Sequence, residues 1–156
     1  MCIRDSYETA TDGTAVDVYA IHDGQLTEVL QYYLNDDKVT LSGSVVQAGD
    51  DGRYAEGNIS VYSTTGVNPG VPIAAVVSKV PTIWTNDHRG DGVVLMAILS
   101  RSVKSADFLE IYPNGAPTGS MAAKWQKCPD PHASDPTDQS SWTWTENVIR
   151  HLMHYK

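Results

Sequence analysis

The segment of this chain with the most chemically capable side chains is Asp87-His-Arg-Gly-Asp-Gly92. It invites interpretation as a calcium loop, because carboxylates stand at its first and fifth positions and glycine at its sixth. Calcium loops of this type also need an oxygen ligand at the third position and a bidentate glutamate at the twelfth. Arg89 and Ile98 occupy those two positions here. The sequence therefore predicts no metal site in this loop.

His88 could instead serve as a general base, with Asp87 or Asp91 orienting its imidazole. No serine or cysteine lies in a nucleophile elbow, and Ser100 and Ser105 have no special context. The favoured interpretation is a turn histidine that hydrogen bonds to the backbone. A hydrolase centred on His88 stays as a third hypothesis, which predicts loss of activity in His88→Ala without loss of folding.

The remaining candidate ligands are sparse. His151 and His154 stand one helical turn apart and could contact one metal ion. No carboxylate or cysteine joins them at helical spacing, which favours a solvated or inter-subunit face. Cys2 and Cys128 are the only cysteines, so no disulfide framework is expected and folding in a reducing cytoplasm fits best. We predict no catalytic, cofactor-binding or metal-binding residue.

Bulk composition is that of a globular domain. The chain has 156 residues, of which 41% are hydrophobic and 19% charged, enough for one domain with a core. A net charge of −8 argues against sequence-independent binding of nucleic acid, which needs clustered lysine and arginine. The longest apolar run, residues 92–99, has the length of a buried strand and falls short of the roughly 20 residues that span a bilayer.

The elements that would position these residues are mostly strands. Residues 14–21 alternate apolar and polar side chains, as a half-buried strand does. Residues 92–101 form the clearest central strand, whereas residues 73–80 could be a short helix or a strand. Further strands are predicted at residues 26–34, 38–41, 44–47, 58–63 and 117–126, with turns at 49–52 and 112–117 and a loop at 66–72.

The two ends of the chain differ in sequence pattern from the strand-rich middle. Residues 1–6 resemble the translation of a sequencing-library adapter, and we expect them to be an artefact, with a β-rich domain at residues 7–127. Residues 128–141 form a proline-punctuated linker, and residues 142–156 the start of a truncated helical segment.

In this helical segment, the spacing of Thr143 and Glu146 predicts a capping box, with Thr145 as a competing cap. One side of this helix is apolar, comprising Val148, Ile149, Leu152 and Met153. The predicted fold class is α+β, mostly β: an antiparallel β-rich domain, a proline-rich linker and the start of a helix.

Three blocks of sequence carry a resemblance to a known family. They are Pro81-Thr-Ile-Trp-Thr-Asn-Asp-His-Arg-Gly-Asp-Gly92 before an apolar strand, Ile111-Tyr-Pro-Asn-Gly-Ala-Pro117, and Cys128-Pro-Asp-Pro-His132 followed by Trp142-Thr-Trp-Thr-Glu-Asn147. In this order and spacing they resemble the central tail-tip, or baseplate hub, proteins of long-tailed bacteriophages and prophages. The matching positions are Trp84, His88, Arg89, Gly90, Gly92, Pro113, Gly115, Asp130, Pro131, Trp142 and Asn147. His132 and Val148 depart from the family pattern, which has arginine and proline there.

The resemblance implies a structural virion protein rather than an enzyme. Such a protein forms a homotrimer at the distal end of the tail tube, contacts other tail proteins, and acts in host attachment and DNA ejection. Its contact with the host cell surface is indirect, and it needs no cofactor, membrane span or sequence-specific nucleic acid. Assembly takes place in the host cytoplasm. The alternative hypothesis is a bacterial carbohydrate-binding or adhesion β-sandwich module.

Overall fold

The fold is built on two antiparallel sheets that share a core. The computed structural model describes residues 3–48, 54, 57–112 and 114–154. A six-stranded sheet has the order β1-β2-β8-β7-β6-β5, and a three-stranded sheet has the order β4-β3-β9. The strands are β1 Ile3–Thr9, β2 Ala15–Asp23, β3 Glu28–Leu34, β4 Asp37–Val39, β5 Leu41–Ser42, β6 Val45–Val46, β7 Ile59–Ser63, β8 Val93–Ser100 and β9 Gly119–Lys124. The described residues also form three α-helices: α1 Ala74–Lys79, α2 Phe108–Ile111 and α3 Val148–His154.

Strand β8 is buried on both faces, which explains its uninterrupted apolar sequence. It pairs with β2 on one side and β7 on the other. Leu95, Ala97 and Leu99 point to one face, where they pack with α1 and Trp84. Met96 and Ile98 point to the opposite face, where residues of the three-stranded sheet cover them. The period of two along β8 thus places a core on each side of the larger sheet.

The predicted mostly-β architecture is confirmed, and most of the predicted strands are present. Residues 73–80, left open between helix and strand, contain helix α1. Helix α2 was not predicted. The turn predicted at residues 49–52 and the motif residue Pro113 lie outside the described residues, so those predictions stay open. Strand β1 pairs residues 3–9 with β2, so the backbone of residues 3–6 joins the sheet.

The capping-box prediction for the last helix is wrong. Helix α3 begins at Val148, and the Asn147 side chain accepts a hydrogen bond from the Ile149 N–H at 3.0 Å. Asparagine is among the best N-cap residues because its oxygen satisfies one free backbone N–H of the first turn. The Thr145 hydroxyl accepts instead from the N–H of Asn147, at 3.1 Å. The capping residue is therefore Asn147, rather than Thr143 or Thr145.

The segment predicted as a linker forms a loop whose two ends are joined by backbone hydrogen bonds. Cys128 and Thr143 form an isolated antiparallel bridge, with N–H to C=O distances of 3.0 and 3.2 Å in the two directions. We call residues 129–142 the closed loop. The side chains of Asp130, Asp135 and Asp138 each accept a hydrogen bond from the backbone N–H two residues later. Such aspartate turns allow a compact surface loop to form without regular secondary structure.

Candidate functional site

Two parts of the molecule gather most of the sequence-predicted residues. The first is the loop at residues 81–92, here called the HRG loop after its His88-Arg-Gly90 sequence. The second is the C-terminal segment, residues 128–154, which includes the closed loop and α3. Gly115 belongs to neither part, and its backbone has a positive φ of 80°.

The HRG loop is anchored by Trp84, which is 8% exposed and belongs to the core beside α1. The imidazole of His88 stacks on the indole, with ring centroids 4.9 Å apart. His88 Nδ1 accepts a hydrogen bond from the Thr85 N–H at 3.0 Å, as expected of a turn histidine. The buried Trp84 indole N–H has no acceptor among the described residues. This loop is thus positioned by packing and by its own backbone.

Asp91 ties the HRG loop to the neighbouring loop at residues 66–72. One carboxylate oxygen accepts from the Gly70 N–H at 2.7 Å, and the other from the Arg89 guanidinium at 2.9 Å. The two loops approach so closely that a Cβ on Gly70 would lie 2.5 Å from the Arg89 carbonyl oxygen. The Asp91 carboxylate therefore fastens the two loops to each other.

Gly90 and Gly92 have different roles in this loop. Both have positive φ, at 64° and 75°, a conformation that glycine adopts at little cost. A Cβ on Gly90 would also lie 2.7 Å from Leu95 Cδ1, whereas a Cβ on Gly92 would meet nothing within 4 Å. Gly90 therefore permits a close approach to the core, and Gly92 only a turn. Beside them lies a groove of about 350 Å³, which is lined mainly by residues 62–67 and 70–75, together with Arg89 and Gly90.

The C-terminal segment is held together by a thiol–imidazole contact that the sequence did not predict. Cys128 is fully buried, and its Sγ lies 3.0 Å from His151 Nδ1. Burial raises the pKa of the Cys128 thiol, which favours an S–H that donates to Nδ1. His151 Nε2 is then the protonated nitrogen and donates to the Thr145 carbonyl at 2.9 Å. A buried thiol of raised pKa is a structural hydrogen-bond donor rather than an activated nucleophile.

An ion pair reinforces this contact. The Arg150 guanidinium donates to Asp130 at 3.0 Å, so the matched motif residue Asp130 is joined to α3. Hydrogen bonding from the His132 N–H, followed by the charge of Arg150, holds the pKa of the Asp130 carboxyl below its usual value. His151 was expected on a solvated or inter-subunit face, and that expectation is wrong for this residue. The side chain of His154 lies outside the described ones.

Trp142 and Trp144 stand before α3 rather than in its first turn. The Trp142 indole N–H donates to the Pro136 carbonyl at 3.0 Å, across the closed loop. The Lys124 ammonium of β9 lies 5.5 Å from the centre of the Trp144 ring, within the range of a cation–π contact. Pro131 lies in the closed loop. The two tryptophans therefore fasten the segment internally and to the three-stranded sheet.

Helix α3 turns its polar side toward the protein and its apolar side outward. Arg150 and His151 make the contacts with residues 128–130. The exposed fractions of Val148, Ile149 and Leu152 are 66%, 62% and 63%. This orientation is the reverse of that of a helix packed on a core. The apolar stripe predicted from the sequence exists, but nothing within the described residues covers it.

No family model, curated protein or solved structure matches this chain. Within the described ranges, no three His, Cys, Asp or Glu side chains are grouped so that they could hold a metal ion. None of the helices in that part of the chain has the length and apolar character needed to cross a membrane.

Proposed function

We propose that this chain is a structural segment of a phage tail-tip hub, which works through contacts between protein subunits. The observation that carries the proposal is the outward-facing apolar side of α3. The ordered sequence blocks that resemble the hub family supply the identity of the assembly.

The energetics of α3 favour a covering partner. The helix spans seven residues, and isolated helices this short are marginal in water. Burying a side chain such as Ile149 or Leu152 contributes about 1.5–3 kcal/mol. A subunit that covers this face would therefore stabilise α3 well beyond what its own hydrogen bonds supply. In a homotrimer, the partner would be another copy of the chain.

The matched residues support an architectural role for the motifs. Trp84 and Gly90 fix the HRG loop against the core, and Asp130 and Asn147 fix the two ends of the segment that presents α3. None of these contacts forms a nucleophile–base pair open to a substrate. Under the proposal, other tail proteins bind this scaffold, contact with the host surface is indirect, and DNA passes without sequence-specific binding.

The decisive experiment for the assignment is to sequence the source DNA on both sides of this reading frame, with library adapters removed. The proposal predicts an open frame that continues in both directions beside tape-measure and tail-assembly genes. A start codon at Met1, or neighbouring genes for secretion or sugar uptake, would contradict it. Such neighbours would instead favour the adhesion module.

A further inference from the structure

A second cleft lies where the closed loop meets the turn after β2. Its volume is about 290 Å³, near the lower end of the ~300–1,000 Å³ usual for small-molecule sites. The side chains that line it are mostly polar, and just one of them is charged: Gln25, Leu26, Thr27, Gln126, Lys127 and Trp142.

The cleft is built on fixed backbone. The turn at residues 24–27 is hydrogen bonded to three other segments, through the N–H groups of Gly24, Leu26 and Thr27, at 2.7, 3.0 and 2.8 Å. On the opposite side, the bridge between Cys128 and Thr143 holds Lys127 and Trp142 near each other. The cleft walls are thereby positioned before any ligand arrives, which reduces the entropy lost on binding.

The side chains that line the cleft include both hydrogen-bond donors and hydrogen-bond acceptors. Each glutamine carboxamide has a donor and an acceptor group. The Gln126 carboxamide rests on Gly24, where an added Cβ would lie 3.2 Å from its Oε1. The Thr27 hydroxyl donates to the Trp125 carbonyl at 3.0 Å, which leaves its oxygen as an acceptor. Such a set matches the hydroxyl groups of a sugar, each of which both donates and accepts.

Trp142 and Lys127 narrow the class of ligand. The Trp142 indole is fixed at its N–H by Pro136 and provides an aromatic surface for the C–H groups of a pyranose ring. Lys127 is exposed and makes no ion pair within the described part of the chain. An unpaired ammonium in a chain of net charge −8 favours an anionic ligand, and a carboxylate is the simplest match.

We propose that this cleft binds a saccharide that carries a carboxylate. The sugar ring lies on Trp142, its hydroxyls bond Gln25 and Thr27, and its carboxylate pairs with Lys127. The site does not use α3 and does not depend on the phage assignment. In an adhesion module it would bind an acidic glycan of the cell surface, and in a tail-tip hub it would add a direct glycan contact to the indirect attachment made through other tail proteins.

The test is binding of the full chain to an array of uronic-acid and sialic-acid saccharides and their neutral counterparts, followed by titration of the strongest binder. We expect acidic saccharides to be retained over neutral ones. Lys127→Met should weaken binding of the acidic sugar about tenfold or more, the loss of a charge-assisted contact. Lys104→Met, at an exposed lysine outside the cleft, should leave the affinity unchanged.

Gln25→Ala provides a second variant whose folding is not in question, since Gln25 is exposed. This variant should weaken the binding of acidic and neutral saccharides to the same extent. No binding to any acidic saccharide would overturn the proposal, as would equal binding of a simple carboxylate such as lactate, which would indicate an anion site only. A normal subunit assembly in Lys127→Met would show that this site and the α3 surface are separate.

Discussion

The β-rich body, residues 3–127, and the C-terminal segment are stabilised in opposite ways. In the body, β8 is buried on both faces and its neighbours supply apolar contacts on each side. In the C-terminal segment, polar contacts join Cys128 to His151 and Asp130 to Arg150. The side chains of Val148, Ile149 and Leu152 on α3 face outward. The apolar side chains of the body are therefore packed in a complete core, whereas the exposed apolar side of α3 resembles one half of a subunit interface.

The largest expected difference between the two regions is their response to shortening an apolar side chain. Ile98 is fully buried, so Ile98→Ala should lower the free energy of unfolding by about 2–5 kcal/mol. Leu152→Ala, at an exposed position of α3, should change it by less than about 0.5 kcal/mol in the dissociated chain. Urea denaturation followed by tryptophan fluorescence measures both. Equal effects would mean that α3 is packed into the body after all.

Within the body, Gly90 and Gly92 form a matched pair that separates packing from backbone strain. Alanine at either position adopts positive φ, at a cost of about 1–2 kcal/mol. Gly90→Ala also pushes into Leu95, and the overpacking should add about 1–3 kcal/mol. We therefore expect Gly90→Ala to lower the denaturation midpoint more than Gly92→Ala does. If the two variants are equally stable, the HRG loop does not press on the core.

In the C-terminal segment, the contact between Cys128 and His151 should behave as one unit. Removing His151 leaves the buried Cys128 thiol without this partner, and removing Cys128 leaves Nδ1 of the half-buried His151 without one. We expect each single change to cost about 1–3 kcal/mol. The double variant Cys128→Ala with His151→Ala should cost less than the sum of the two single changes, by about 0.5 kcal/mol or more. Amide exchange of residues 148–152 reports the local opening. Strict additivity would show that the thiol and imidazole are not coupled.

A smaller effect is expected from acid, and it should appear in the closed loop. Hydrogen bonds from the side chains of Thr137 and Ser140 lower the pKa values of Asp135 and Asp138 below 3.8. The stability from these carboxylates is complete above pH 3.8. It is lost as the pH falls through the lowered native pKa values, because the open loop then binds more protons.

NMR shifts of the Thr137 and Ser140 amides, followed down to low pH, would measure this opening. Asp135→Asn with Asp138→Asn is the matched control, because asparagine keeps a side-chain oxygen acceptor but does not titrate. The variant loop should stay closed in acid while the native loop opens. If both lose the loop at the same pH, these two carboxylates are not responsible.

The sequence predicted the body well because its signals are local. Alternation marked β2, and the continuous apolar run marked β8 as a buried central strand. The apolar stripe of α3 was also readable, but its direction was not, since periodicity gives the angle between side chains and not the side that a neighbour covers. The helix start was misplaced because three residues, Thr143, Thr145 and Asn147, are all good caps.

The contacts that hold the C-terminal segment had no local signal. Cys128 and His151 are 23 residues apart, and the contact depends on the closed loop folding back through the bridge to Thr143. Proline spacing suggested an open linker, since the aspartate turns that close it become recognisable only with their backbone partners. Of the motif residues, Trp84 and Gly90 pack against the core, whereas a Cβ on Gly92 would meet nothing within 4 Å. The partner of Asp130 could not be predicted.

The central claim is that the outward side of α3 is a contact between subunits, and sedimentation equilibrium of the full chain tests it most directly. We predict concentration-dependent association into a trimer, which Ile149→Glu abolishes by placing a charge in the apolar interface. Glu146→Gln, at an exposed position just before α3, should leave association intact. A native chain that stays monomeric as its concentration rises, or a trimer unaffected by Ile149→Glu, would contradict the account.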